Sequence, residues 1–178
     1  MTAPALTRLL VATTLMLLLA SVTMLGQTAS EPALKAAFLY NFARFAEWPA
    51  DAAAGPLTIC VLGDAAIAAA LDGTVKGRTI DSREVAVSRV KPDGFRACHV
   101  LYLTALDPTR AHQIVDELKG APVLTVGDGE VFAKNGGIAG LFVEQGKMRF
   151  AINVEAAQHA RLHISSRLLS LAKIVREP

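Results

Sequence analysis

The spacing of apolar residues after position 30 predicts an amphipathic helix over residues 31–47. Ser30 is suited to cap its first turn, Pro32 is tolerated there because that position needs no backbone N–H donor, and Pro49 ends the helix. Apolar residues recur with the 3.6-residue period of a helix, so they share one face, which we expect to pack against the core. They are Leu34, Ala37, Phe38, Phe42 and Phe45.

Farther along the chain, short apolar runs that end at turn residues alternate with helical segments. Asp64 is placed to cap a helix over 65–71, and Gln145-Gly146 suits the loop of a hairpin. The predicted strands are 57–62, 84–87, 99–103, 122–126, 138–143 and 148–153, and the other predicted helices cover 108–119, a short segment before Asn135, and a tail from 154 that is interrupted near 163–165 and resumes over 168–174. This order predicts a single α/β domain, with a mainly parallel central sheet flanked by helices on both faces, a C-terminal antiparallel hairpin and a helical tail.

Residues 1–30 have the pattern of a secretory signal peptide. Arg8 precedes an apolar run over 9–25, and the small residues at 26–30 suit cleavage by a signal peptidase. A membrane anchor is the competing interpretation, because the run is close to the shortest stretch that spans hydrocarbon. Hydroxyl residues dilute the run and no positive cluster follows it, so we expect an exported, periplasmic domain over residues 31–178.

Charge and cysteine content narrow the classes of partner and compartment. The predicted domain carries seventeen basic and sixteen acidic residues, a net charge of +1. It lacks the clustered excess of Lys and Arg that a nucleic-acid surface needs, so nucleic acid is not an expected partner. Cys60 and Cys98 belong to a chain that meets an oxidising compartment. A disulfide is therefore expected, and two buried free thiols are the alternative.

Three polar positions mark the crevice in which open α/β sheets bind ligands. Asp64, Thr104 and Asp128 lie at or just beyond the carboxyl ends of predicted strands, and ligands bind outside those ends. Acidic side chains occupy the places where a phosphate site would need lysine, and no P-loop pattern is present. A receptor for a small periplasmic ligand is therefore one hypothesis for function.

A metal-dependent hydrolase built on Glu155, His159 and His163 is another hypothesis. These residues recur every four positions, so on an unbroken helix they would face one way and could hold zinc, with a fourth position for water. The interruption predicted near His163 weighs against that arrangement. There is no G-x-S-x-G elbow, and oxidised cysteines would not act as nucleophiles. We therefore expect no enzyme activity, no catalytic residues and no cofactor.

The predicted first helix is rich in aromatic residues, with five of the chain's ten between positions 38 and 48. Some of them fall off the apolar stripe beside polar residues, and Tyr, Trp and Arg are the residues that most often anchor interfaces. The alternative is an amphipathic helix whose tryptophan is tucked under the following loop. The candidate partner-binding residues are Tyr40, Asn41, Arg44, Glu47 and Trp48.

Two long motifs carry a resemblance to a known family. The segment LKAAFLYNFARFAEWP at 34–49 and the segment LHISSRLLSLA at 162–172 resemble the first and last signatures of the YfiR family, also called YfiR/HmsC-related. The resemblance spans essentially the whole predicted domain. Shorter matching blocks lie at 57–64, 98–102, 123–126, 136–138 and 149–153.

The resemblance implies a periplasmic repressor that binds the periplasmic sensing domain of an inner-membrane diguanylate cyclase. Such a protein lowers cyclic-di-GMP signalling, which controls biofilm formation and motility, without acting on the nucleotide itself. Cys60 and Cys98 match the positions of a family disulfide, whereas a second cysteine pair of the best understood relative is absent here. An outer-membrane lipoprotein would be the antagonist. A membrane sensor histidine kinase and a second copy of the chain are the other candidate partners.

Overall fold

A central sheet of eight strands is present in the computed structural model, which describes residues 29–52, 54–89 and 94–177. The helices are α1 (Glu31–Phe45), α2 (Ala65–Val75), α3 (Pro108–Glu117), α4 (Glu130–Lys134), α5 (Val154–His159) and α6 (Ser166–Leu169). The strands are β1 (Ala46–Glu47), β2 (Leu57–Leu62), β3 (Thr79–Ile80), β4 (Arg83–Arg89), β5 (Val100–Leu103), β6 (Leu124–Asp128), β7 (Ala139–Glu144), β8 (Lys147–Asn153), β9 (His163–Ile164) and β10 (Lys173–Val175).

Most neighbouring strands of the central sheet run parallel. The strand order is β10-β8-β7-β6-β5-β2-β4-β3. Antiparallel pairing occurs between β3 and β4 and between β7 and β8, the second pair being the hairpin predicted around Gln145-Gly146. Strands β1 and β9 form a separate antiparallel pair. The predicted α/β class, with its mainly parallel sheet and C-terminal hairpin, is confirmed.

Polar residues explain where three of the helices begin. Ser30 caps α1, Asp64 caps α2 and Asp107 caps α3, because a side-chain oxygen of each accepts a backbone N–H bond from the first turn. Such a cap satisfies a donor that has no partner inside the helix, and it contributes about 1 kcal/mol. The predicted caps at Ser30 and Asp64 are confirmed.

Both faces of the sheet are covered, and strand alternation divides the core between them. Along β5, Val100 and Tyr102 belong to the cluster that includes α1, α2, α5 and α6, whereas Leu101 and Leu103 belong to the cluster under α3. The strands buried on both sides therefore appear in the sequence as continuous apolar runs. Phe38 and Phe42 of α1 pack edge-on against Phe150 of β8, at centroid distances of 5.8 and 5.2 Å.

The first helix is shorter than predicted. It ends at Phe45, and Ala46 and Glu47 form β1, which pairs with Ile164 and His163. The apolar period of the helix continues through this segment, but the backbone groups of β1 bond to a strand more than 100 residues away, and no local pattern contains that partner.

The C-terminal tail also differs from the prediction. The helical segment predicted over 168–174 is limited to α6, and Lys173–Val175 is a strand that pairs in parallel with Ala151–Asn153. The edge of β8 would otherwise present unpaired backbone donors and acceptors, which a tenth strand satisfies. The spacing of Leu168, Leu171 and Ile174 resembles a helix, so periodicity alone gave the wrong element.

The disulfide between Cys60 and Cys98 is present, and free cysteines are absent from the described residues. It links β2 to the residue two positions before β5, its neighbour in the sheet. Both cysteines are buried in the apolar cluster under α3. The expected disulfide is therefore confirmed, and the alternative of two free thiols is wrong.

The predicted signal peptide falls almost entirely on residues 1–28, which lie outside the described residues. Within the described part of the chain, no helix is long and apolar enough to cross a membrane. The predicted domain over 31–178 contains all six helices and both sheets that the described residues form.

Loss of the disulfide should lower the free energy of unfolding by up to about 4 kcal/mol, because the bridge closes a loop with a sequence separation of 38 residues. Urea titrations of the wild type and of the Cys60→Ala/Cys98→Ala variant, each with and without dithiothreitol, measure this change. The reductant should shift the wild-type midpoint only. Equal midpoints for oxidised and reduced wild type would contradict the prediction.

Candidate functional site

The five predicted partner-binding residues lie at the end of α1 and just after it, but they differ in exposure. Arg44 and Glu47 are exposed, whereas Tyr40, Asn41 and Trp48 are partly buried. Only the first two therefore present most of their side chains to a partner. The assignment of all five to a partner surface remains a prediction.

Tyr40 and Asn41 both have roles within the domain. The Tyr40 ring packs against the core that α1 covers, and the Arg78 guanidinium carbon lies over that ring, 5.2 Å from its centroid. The Asn41 amide donates to the carbonyl oxygen of Ala37, one turn back in α1, at 2.9 Å. Substituting either residue would therefore alter the helix as well as its surface.

Trp48 is partly buried. Its ring meets the edge of the His99 ring at a centroid distance of 5.7 Å. It also lines an open cavity of about 470 Å³ with Leu57, Ile80 and Arg83. The indole N–H is buried and has no acceptor among the described residues.

His99 connects the loop after Trp48 to the sheet. Its Nδ1 accepts the backbone N–H of Thr58 at 3.1 Å, so the proton of the neutral ring is assigned to Nε2, which donates to Ala52 O at 2.9 Å. Arg83 Nη2 lies 2.7 Å from the same Nε2. Burial lowers the pKa of His99, the Ala52 carbonyl opposes that effect, and the positive charge of Arg83 lowers the pKa further.

The first and last signature motifs meet beside Phe45. Strands β1 and β9 pair, and Ser165 N donates to Phe45 O at 2.9 Å. The guanidinium carbons of Arg44 and Arg167 lie 5.6 and 6.0 Å from the centroid of the Phe45 ring. We call the surface formed by Arg44, Arg78 and Arg167 with Tyr40 and Phe45 the arginine face.

Arg78 and Arg167 are members of this surface that the sequence interpretation missed. Arg167 lies inside the last signature motif, so the motif itself was an available signal, but only the fold shows that it lies beside Phe45. Arg78 follows α2 in a turn and carries no comparable local signal.

At the carboxyl ends of β5 and β6, Asp128 accepts three hydrogen bonds. Its donors are Tyr102 Oη at 2.5 Å, Thr104 Oγ1 at 2.7 Å and Lys35 Nζ at 2.8 Å. Lys35 also contacts Glu31 at 3.0 Å. The predicted pair of Thr104 and Asp128 is thus brought together, but Asp64 is not part of this group because its side chain caps α2.

The charges in this group stabilise one another. Burial alone would raise the pKa of Asp128, but hydrogen bonds from Lys35, Tyr102 and Thr104 bring it below its ordinary value. Burial opposes protonation of Lys35, yet its bonds to Asp128 and Glu31 raise its pKa. Burial and the bond to Asp128 raise the pKa of Tyr102. At neutral pH the group therefore holds a charged Lys35–Asp128 pair and a neutral phenol.

A cavity of about 200 Å³ opens beside this group, between α3 and α4. Thr104 and Asp128 line it together with His112, Asn135 and mostly apolar side chains. The backbone of the loop after β2 passes close to the backbone of Thr104. Gly63 in this loop has φ +119°, and a Cβ there would lie 1.8 Å from the Thr104 carbonyl oxygen. Glycine is therefore required at this position.

Glu155, His159 and His163 do not form the arrangement that zinc binding would need. Helix α5 ends at His159, and His163 lies on β9 opposite Glu47. Glu155 is 3.8 Å from Arg176. The described part of the chain contains no group of three potential ligands that could hold a metal ion. The condition of an unbroken helix, on which the hydrolase hypothesis depended, is not met.

These features define the chain as a small, disulfide-bonded α/β domain. The sequence model of the YfiR/HmsC-like family matches residues 32–173, and the chain belongs to that family. The resemblance found in the two signature motifs is thereby confirmed. Proteins of this family are periplasmic and regulatory rather than catalytic, and membership supports a regulatory role in cyclic-di-GMP signalling.

Solved structures with a similar fold are distant in sequence. A conserved domain protein from Vibrio cholerae O1 biovar El Tor is 13% identical with a TM-score of 0.53, and the match covers 83% of this chain and 60% of that one. The ABC domain in complex with L-Trp from Streptococcus pneumonia is 11% identical over 66% of this chain and 56% of that one, with a TM-score of 0.46. The first similarity supports the α/β fold alone, and the second is too weak to carry an argument.

Replacing Asp128 should destabilise the domain. In Asp128→Asn, the largely buried Lys35 ammonium loses its charged partner, and we expect the free energy of unfolding to fall by roughly 1–3 kcal/mol. The control is Glu31→Gln, which removes the more exposed of the two acidic partners of the same lysine and should cost less than about 1 kcal/mol. Urea titration at pH 7 measures both variants, and equal losses would contradict the prediction.

Acidification should destabilise the domain through His99. Its folded-state pKa lies below the ordinary value of 6.5, so the stability it contributes is present above that pH and is lost as the pH falls through the folded-state value. Thermal denaturation from pH 7.5 to 5 should therefore show a shallower fall in Tm for His99→Gln than for the wild type. His163→Gln, which removes an exposed imidazole, should keep the wild-type slope. Identical slopes for all three proteins would disprove this role.

Proposed function

We propose that this protein binds the periplasmic domain of an inner-membrane diguanylate cyclase and stabilises its inactive arrangement, which lowers cyclic-di-GMP synthesis. Membership of the YfiR/HmsC-like family is the observation that carries the proposal. The disulfide suits an exported domain, and the absence of a metal-ligand group from the described residues gives hydrolysis no support. The protein performs no chemistry on the nucleotide.

Repression by binding has a simple energetic requirement. A regulator shifts a two-state partner only by the ratio of its affinities for the two states, and each tenfold ratio is worth about 1.4 kcal/mol. A modest interface is therefore sufficient, provided that it fits the inactive state better. An outer-membrane lipoprotein that competes for the same surface would release the cyclase.

The end of α1 is the proposed contact surface. Arg44 and Glu47 are exposed there, and the surface adjoins β9 and α6, so both signature motifs contribute to it. Interface contacts gain from side chains that are already held in place, because less conformational entropy is lost on binding. The arginines that lie over Tyr40 and Phe45 meet that condition.

A receptor for a small periplasmic ligand is the second candidate function. The cavity of about 200 Å³ beside Thr104 and Asp128 favours it, because it lies at the carboxyl ends of the strands and combines apolar walls with a few polar groups. A thermal shift with a periplasmic metabolite, lost in Thr104→Val, would support this alternative. An unchanged Tm across a metabolite library would count against it.

Affinity purification of the tagged protein from solubilised membranes tests the main proposal. We expect an inner-membrane diguanylate cyclase with a periplasmic domain to be recovered, and deletion of the gene for this protein to raise cellular cyclic-di-GMP. Recovery of a histidine kinase would keep a regulatory role and change its output. Recovery of no membrane protein would reject the proposal.

Single substitutions separate the contact surface from the core. Arg44→Ala should weaken capture and leave Tm nearly unchanged because the side chain is exposed, whereas Tyr40→Ala and Trp48→Ala should also lower Tm because both rings are partly buried. Arg149→Ala is the matched control. It removes an exposed arginine of β8 whose neighbour Phe150 points towards α1, so Arg149 points to the opposite face of the sheet. Equal capture by Arg44→Ala and Arg149→Ala would contradict the assignment of Arg44.

A further inference from the structure

Three arginines of the arginine face lie over aromatic rings. Arg78 lies over Tyr40, and Arg44 and Arg167 lie over Phe45, with distances of 5.2, 5.6 and 6.0 Å from guanidinium carbon to ring centroid. All three arginines are exposed. Such contacts hold a long side chain in place, so part of the entropy lost on binding is already lost in the free protein.

The three arginines form one continuous surface. Tyr40 and Arg44 are four residues apart in α1, so their side chains are neighbours on the same side of the helix. Arg44 and Arg167 share the Phe45 ring, because Ser165, just before α6, bonds to Phe45 O. The surface thus combines the turn after α2, the end of α1 and the start of α6.

The N–H donors of this surface have no acidic partner within the described part of the chain. Two other exposed arginines do: Arg161 contacts Asp51 at 3.1 Å and Arg176 contacts Glu155 at 3.8 Å. Among the described residues, no ion pair includes Arg44, Arg78 or Arg167. A guanidinium group that lies over a ring keeps its N–H groups in its own plane, where they can bind a planar anion in a bidentate manner.

We propose that the arginine face binds carboxylate side chains of an acidic segment in the periplasmic domain of the partner, a proposal that rests on the function proposed above. A membrane surface rich in anionic lipid is the other source of such anions. It fits less well, because the predicted domain has a net charge of only +1 and the exposed Glu47 follows Phe45 closely. Lipid binding by charge needs clustered positive residues without such an acid.

A zero-length carbodiimide cross-linker tests for direct carboxylate contact. It joins an amine to a carboxylate as an amide, and a lipid phosphodiester does not react in this way. In Arg44→Lys and Arg167→Lys the new amine keeps the positive charge at the surface. With solubilised membranes, we expect mass spectrometry to find residue 44 or 167 of these variants linked to an Asp or Glu of the captured membrane protein. Arg149→Lys, on the opposite face of the sheet, should give no such link.

Charge removal supplies the second measurement. Capture by the Arg44→Gln/Arg167→Gln variant at 150 mM salt should fall about tenfold, as expected when a charged hydrogen bond is lost, while Arg149→Gln should match the wild type. Suppose that the Arg44→Gln/Arg167→Gln variant captures the membrane protein as well as the wild type does, and that the lysine variants form no link at 44 or 167. This result would overturn the inference and leave the proposed function standing. Wild-type binding to phosphatidylglycerol vesicles, lost in the double variant, would assign the surface to the membrane instead. Failure of the wild type to capture any membrane protein would reject both proposals.

Discussion

The pairing of β1 with β9 is the constraint on which the proposed contact surface depends. It joins Ala46 and Glu47, which follow the first helix, to His163 and Ile164, which lie near the C-terminus. Because β1 takes extended backbone at Ala46, α1 must end at Phe45, and the adjoining bond from Ser165 N fixes the start of α6 beside it. Two motifs separated by more than 100 residues thereby form one surface. A helix that continued to Glu47, as the apolar period predicted, would remove the pairing of β1 with β9 that brings Arg167 beside the Phe45 ring.

The strand-end crevice is built on a different principle. Its acidic residue, Asp128, already accepts bonds from Tyr102, Thr104 and Lys35, and these bonds link β5 and β6 to α1. Tyr102 is fully buried and the Lys35 side chain is largely so, and these bonds stabilise the fold because leaving either group without its partner would cost its desolvation free energy. The same bonds reduce what Asp128 can offer to a ligand. The residue that first suggested a binding site therefore has a structural role, and the neighbouring cavity would have to bind a ligand mainly through its apolar walls.

His99 and the disulfide stabilise the sheet away from the crevice, towards the amino ends of β2 and β5. His99 bonds to Thr58 at the start of β2 and to Ala52 in the preceding loop, and the adjacent Cys98 is covalently linked to Cys60 of the same strand. These contacts fix the loop that follows Trp48, and the Trp48 ring packs against His99 itself. Reduction and acidification thus act on one region, close to the proposed contact surface but outside the arginine face. Burial, followed by the positive charge of Arg83, lowers the pKa of His99 and so favours its neutral state.

The sequence by itself determined those features whose causes are local. The strand and helix order, the caps Ser30 and Asp64, the hairpin at Gln145-Gly146 and the family motifs all follow from residues within a few positions of one another, and the oxidised cysteine pair follows from the expected compartment. Only the tertiary structure decided the end of α1, the strand β10 and the meeting of Arg44 with Arg167. In each case the deciding interaction is a backbone pair or a ring contact whose partner is chosen by the folded arrangement. Asp64 is kept apart from Thr104 and Asp128 by its local cap on α2. The strands β1 and β10 have only two and three residues and are too short to show a period of their own, so apolar spacing could not distinguish them from a continued helix.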